Sequence, residues 1–177
     1  MKARLVEILK ERSVRTGTFT LASGKTSDLY VDARQTTLSP EGATVIADLI
    51  IEHLHPDVVG VGGPVTGADP ITGAVITRSW QNGRPLHGFM VRKEAKGHGT
   101  GNQVEGRAGL ADGAKVCMIE DTVTTGGSLL KAIKAVEAVG LDVVQVMCVV
   151  DRCEGAGQIF KDAGYHLEAL VTREDIT

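Results

Sequence analysis

Apolar positions recur along this chain in two alternating rhythms. Residues 2–12 carry Leu5, Val6, Ile8 and Leu9 at helical spacing. A short strand is expected over 29–33. Ser39-Pro40-Glu41 is a helix start, with Ser at the N-cap and Pro at the first helical position. The helix it opens runs to about His55 through Val45, Ile46, Leu49 and Ile50. The run 57–61 predicts a buried strand ending in Gly62-Gly63-Pro64, followed by a helix over 68–80 and a strand over 86–91. Residues 93–113 show little periodicity and predict a long mobile loop. Val116–Ile119 is the most apolar strand, ending in Glu120-Asp121. After Gly126-Gly127 comes an amphipathic helix (Leu129, Leu130, Ile133, Val136, Val139) stopped by Gly140. A strand over 143–150, a helix over 155–163 and a strand over 167–171 complete the pattern.

Strand–helix alternation predicts an α/β fold with a parallel sheet. Such sheets bind ligands at the carboxyl ends of their strands. The polar clusters fall there: Gly62-Gly63, Arg92-Lys93, Glu120-Asp121 and Asp151-Arg152. The length of 177 residues suits one domain with no internal repeat or linker. Net charge is −3, which argues against a general nucleic-acid binder. No apolar run approaches the roughly 18 residues of a membrane span. The charged start does not read as a signal peptide. Three cysteines without paired spacing fit a reducing cytoplasm. Glycine is abundant, with 22 residues, and aromatics are scarce at 3%. Five glycines lie in 60–73, six in 97–113 and two at 126–127, so bare backbone gathers at the same polar clusters.

Two familiar motifs fail. A P-loop ending in Gly24-Lys25-Thr26 requires glycine where Phe19 stands. A dinucleotide fingerprint beginning at Gly60 requires glycine where Val65 stands. The segment from Val116 to Ser128 fits better. A buried strand delivers two adjacent carboxylates, and a Thr/Gly turn then opens a helix. Backbone N–H groups at that turn, with the Thr124, Thr125 and Ser128 hydroxyls, suit a phosphate. The carboxylates suit ribose hydroxyls, so the segment suits a phosphorylated sugar.

Ile119–Ser128 resembles the 5-phosphoribosyl-1-diphosphate (PRPP) motif of the type I phosphoribosyltransferases. Val91–Gly99 resembles the catalytic loop of the orotate phosphoribosyltransferases. Phe19–Ser27 with Tyr30-Val31-Asp32 resembles their orotate-contacting segment, and Val149–Glu154 their Asp-Arg-x-Glu element. The four segments come in family order over 19–154. One departure stands after Gly63-Pro64: many relatives carry an aromatic-Lys pair, and this chain has Thr66-Gly67. Contact with diphosphate there is left to backbone amides.

The resemblance implies a single phosphoribosyltransferase domain over 1–177, with a central parallel sheet flanked by helices. About 1–35 would form a small N-terminal hood and about 93–113 the mobile catalytic loop. It implies transfer of phosphoribosyl from PRPP to N1 of orotate, giving orotidine 5′-monophosphate and diphosphate in pyrimidine biosynthesis. Lys96 and His98 are the expected catalytic residues. PRPP is expected to meet Arg92, Lys93, Lys96, His98, Glu120, Asp121, Thr122, Val123, Thr124, Thr125, Gly126, Gly127 and Ser128. Orotate is expected at Lys25, Thr124 and Arg152. Magnesium would ride mainly on PRPP rather than on protein ligands. A homodimer is implied, the loop of one copy completing its neighbour's site. The competing expectations are transfer to another base and a non-catalytic PRPP-sensing regulator on the same fold.

Overall fold

In the computed structural model, residues 1–20, 26–94 and 102–177 are described. The strands are β1 (Val14–Thr20), β2 (Thr26–Val31), β3 (Gly60–Pro64), β4 (His87–Val91), β5 (Val104–Glu105), β6 (Lys115–Val123), β7 (Asp142–Asp151) and β8 (Leu167–Thr172). The helices are α1 (Lys2–Arg12), α2 (Arg34–Thr37), α3 (Pro40–His53), α4 (Ala68–Gln81), α5 (Gly127–Ala138), α6 (Ala156–Asp162) and α7 (Arg173–Ile176).

Six strands form the main sheet in the order β5-β4-β3-β6-β7-β8. All neighbours are parallel except β4 and β5, which run antiparallel. The α/β class and flanked parallel sheet are as the periodicity predicts. Alternation along the inner strands feeds two cores. Cys117 and Ile119 of β6 join Val61, Met147 and Val149 under α1, α3 and α4. Val116 and Met118 join Phe89, Val146 and Cys148 under α5 and α6. Period-two side chains thus fill both faces, and the central strands read as continuous apolar runs. Ser39 caps α3 as expected, its Oγ accepting from the Gly42 N–H at 3.2 Å.

Three departures matter. A strand forms over Val14–Thr20, where only two positions are even partly buried. Pairing with β2 makes it a strand, so apolar periodicity gives no sign of it. This two-stranded sheet falls within the expected hood region, tied down by an Arg173–Asp28 ion pair at 2.7 Å and by Leu29 and Val31 in the core. Second, part of the 93–113 stretch joins the fold: β5 pairs with β4, and a 3₁₀ turn over Arg107–Gly109 follows. Val104 and Leu110 are buried, two apolar residues too sparse to register as a period. Third, β6 continues through Val123 because Thr122 and Val123 pair with Val150 and Asp151. The acidic pair therefore lies within the strand, not beyond its end.

Candidate functional site

Two adjoining clefts open at the carboxyl ends of β3, β4 and β6, where the topology places a binding crevice. The first, of about 360 Å³, is lined by Tyr30–Arg34, Pro64–Gly67, Glu120–Thr122 and Ser128. The second, of about 450 Å³, is lined by Val91–Glu94, Gln103, Gly127, Ser128, Lys131 and Ala132. Pro64 and Ser128 border both.

Strand β6 carries Glu120 and Asp121 into the first cleft. Glu120 is buried and Asp121 half-buried. The Asp121 N–H donates to Glu120 Oε1 at 3.2 Å, and the Thr122 N–H to Asp121 Oδ1 at 2.6 Å. The two carboxylates converge on one point above the turn after β3. A Cβ built on Gly67 lies 2.7 Å from Asp121 Oδ1 and 2.8 Å from Glu120 Oε1. A side chain at 67 would occupy the place where these oxygens point. Loss of hydration pushes Glu120 up to about 8, with Asp121 beside it adding to the rise. Burial likewise raises Asp121 and, behind the turn, Asp69. Across the cleft, the Arg34 guanidinium holds the Asp32 carboxyl below its usual range.

The turn between β6 and α5 is shaped by Gly126, at φ +84° with Phe160 packed against the face a Cβ would occupy. Gly126 is the N-cap of α5, so the first amides of the helix face the turn. Thr124, Thr125, Gly127 and Ser128 sit on this turn and at the helix start, half-buried or exposed. Val123 differs from the others in the expected set: its side chain is in the core, leaving only its backbone to the turn.

The expected diphosphate residues divide. Arg92 and Lys93 line the second cleft, and Arg92 Nε pairs with Glu105 of β5 at 3.0 Å. Lys96, His98 and Lys25 lie outside the described residues. Arg152, just past β7, is buried. Its Nη2 lies 3.2 Å from Glu154 and 3.4 Å from the Leu29 carbonyl, so it bridges the sheet to the hood. The structure therefore brings together Glu120, Asp121, Thr122 and Ser128, and beside them Arg92, Lys93 and Gly127. Sequence reasoning did not single out Arg34 or Lys131, and it marked Thr66-Gly67 only as a turn left to backbone contact with diphosphate. Arg34 had one available signal, its place two residues after Asp32 at a strand exit. Lys131 carries no signature before folding, and nothing local shows that Gly67 faces Glu120 and Asp121.

The sequence signature of the phosphoribosyl transferase domain matches residues 35–164. The orotate phosphoribosyltransferase of Rhodopirellula baltica is 42% identical over 180 residues, covering 98% of this chain and 92% of that protein. Among solved structures, the orotate phosphoribosyltransferase of Mycobacterium tuberculosis in complex with Fe(III) dicitrate superposes with a TM-score of 0.85. It is 38% identical and covers 99% of this chain and 98% of that one. The Mycobacterium tuberculosis enzyme in complex with 5-phospho-α-D-ribosyl 1-diphosphate superposes with a TM-score of 0.82 at 34% identity, covering 99% and 98%.

Proposed function

This chain belongs to the phosphoribosyltransferase family, and we infer that it is an orotate phosphoribosyltransferase. It transfers phosphoribosyl from PRPP to N1 of orotate, releasing diphosphate and forming orotidine 5′-monophosphate for pyrimidine biosynthesis. The observation that carries the site assignment is the convergence of Glu120 and Asp121 on the Gly67 turn, beside the bare start of α5.

In the reaction the bond from ribose C1 to diphosphate breaks, a bond from orotate N1 to C1 forms, and the N1 proton is released. Positive charge grows on C1 as negative charge leaves with diphosphate. Catalysis then rests on placing a weak nucleophile and neutralising the leaving group. Glu120 and Asp121 accept hydrogen bonds from the ribose hydroxyls. In the free protein burial drives Glu120 toward its protonated form, and hydroxyl donors favour the carboxylate, so binding shifts it back toward ionisation. The turn from Thr124 to Ser128 receives the 5-phosphate on backbone amides and hydroxyls. The backbone of the Thr66-Gly67 turn meets diphosphate, since no basic side chain stands there.

Arg92 and Lys93 neutralise diphosphate, and Lys96 and His98 stabilise or protonate it as it leaves. The enzyme works as a homodimer, in which the Arg92–His98 segment serves the neighbouring copy. Orotate lies under the hood, reached by Lys25, Thr124 and Arg152. Magnesium would be held mainly by PRPP oxygens, with the Glu120 and Asp121 oxygens that converge at the Gly67 turn as the protein groups able to face it. Both sets are hard donors. When bound, the ion would offset the diphosphate charge.

No helix among the described residues is long and apolar enough to cross a membrane. With three free cysteines, this supports a cytoplasmic enzyme. The deciding assay follows the absorbance of orotate with PRPP and Mg²⁺. Loss of orotate that requires PRPP supports the assignment. Turnover of a purine or uracil with none of orotate overturns it.

A further inference from the structure

The described lining of the first cleft carries more acidic than basic side chains. Its lining includes three acidic side chains, Asp32, Glu120 and Asp121, of which burial drives Glu120 toward its neutral form. Among the described residues, Arg34 is the only cation on that lining. Both substrates in the proposed reaction are anions. Orotate differs from uracil by one carboxylate, and such a group entering a cleft of acids is repelled unless a cation meets it.

Arg34 is held in a way that suits this role. It opens α2 just past the end of β2 and lines the cleft beside Tyr30 and Asp32. Its Nε donates to Asp32 Oδ1 at 2.8 Å, and its backbone N–H reaches the same oxygen at 3.3 Å. These contacts fix the guanidinium through one edge. Its terminal Nη1 and Nη2 groups make no hydrogen bond among the described residues. The side chain is 55% exposed, and its charge acts on Asp121 across the cleft. An anchored guanidinium with its outer pair of donors uncommitted is the arrangement that grips a carboxylate with two parallel bonds.

We propose that Arg34 is a specificity-determining residue that binds the carboxylate of orotate through its terminal guanidinium nitrogens, with Asp32 as its anchor. This rests on the orotate reading above. Arg34 would then reward orotate over uracil, while Glu120 and Asp121 handle the ribose.

The test uses the full-length enzyme and measures KM for orotate and PRPP separately, with uracil as the competing base. The wild type is assayed first: failure to consume orotate overturns the functional reading itself. Given wild-type turnover, Arg34→Gln is expected to raise KM for orotate at least tenfold. Its KM for PRPP should stay within about twofold, and its preference for orotate over uracil should narrow at least tenfold. An orotate KM within twofold of wild type overturns the proposal. So does an equal rise in KM for PRPP, which would assign Arg34 to diphosphate. Should Arg34→Gln not fold, Arg34→Lys decides. It keeps the ion pair with Asp32 but loses the fork, so KM for orotate should rise at least fivefold. An unchanged value there overturns the proposal.

Discussion

Gly67→Ala separates the cost of folding from the cost of catalysis at one position. Gly67 has φ −63° and ψ −39°, a conformation alanine adopts freely. Backbone strain therefore plays no part. The added Cβ would lie 2.7 Å from Asp121 Oδ1, 2.8 Å from Glu120 Oε1 and 2.9 Å from Asp121 Cγ. A comfortable carbon–oxygen approach is about 3.3 Å. Both carboxylates must retreat by roughly half an ångström. They are the ends of side chains, so the retreat costs on the order of 1 kcal/mol. Against this, alanine lowers the entropy of the unfolded chain, a gain of about 0.4–1 kcal/mol where the backbone already suits it. The two nearly cancel, so Tm should move by no more than about 4 °C. Catalysis has no such offset. A misplacement near 1 Å can cost about 100-fold, so a shift of half that predicts roughly a tenfold loss in kcat/KM for PRPP. Calorimetry and the orotate absorbance assay measure the two quantities. Wild-type kcat/KM would refute the convergence argument. A fall in Tm beyond about 10 °C would refute it too, by making Gly67 a folding residue.

Gly126→Ala should act the opposite way. Its φ of +84° and its contact with Phe160 predict a loss of about 2–5 kcal/mol in urea unfolding. A loss under 1 kcal/mol would contradict the tight turn. Glu120 gives a pH prediction. Its folded pKa of about 8 stands above its ordinary value of 4.5. The folded state therefore holds more protons than the unfolded state between these limits, and the free enzyme loses stability as pH rises through that window. The loss is on the order of a few kcal/mol. Glu120→Gln should flatten the slope of unfolding free energy between pH 5 and 8, and parallel profiles would count against it. Lys96→Ala should lower kcat far more than it weakens PRPP binding. An equal loss in both would leave Lys96 as an anchor for diphosphate only.

Much of the fold was legible before folding. The alternation of 3.6-residue and 2-residue periods marked the helices and inner strands, because each buries a face whose spacing is set by its own geometry. Strands β1 and β5 were not legible. β1 is mostly exposed and is held by pairing with β2, and β5 is two residues long. Edge elements depend on partners distant in sequence, which no local pattern records. The acidic pair and the Thr/Gly turn were legible because one continuous segment, Val116–Ser128, contains them all. Arg34, Lys131 and the facing of Gly67 toward the acidic pair were not, since each matters only through what it faces.

The sequence by itself determined the chemistry available: adjacent carboxylates, a bare turn, and a cluster of basic residues after a strand. Those depend on residue type and short spacing, which the covalent chain already holds. The tertiary structure alone decided how that chemistry is aimed. Parallel pairing of β3 with β6 brings the Gly67 turn beneath Glu120 and Asp121, residues more than fifty positions apart. Burial there raises their pKa values. The exit from β2 places Arg34 opposite Asp121. Distance, dielectric and the convergence of charges exist only once the chain has closed on itself, and on them the site depends.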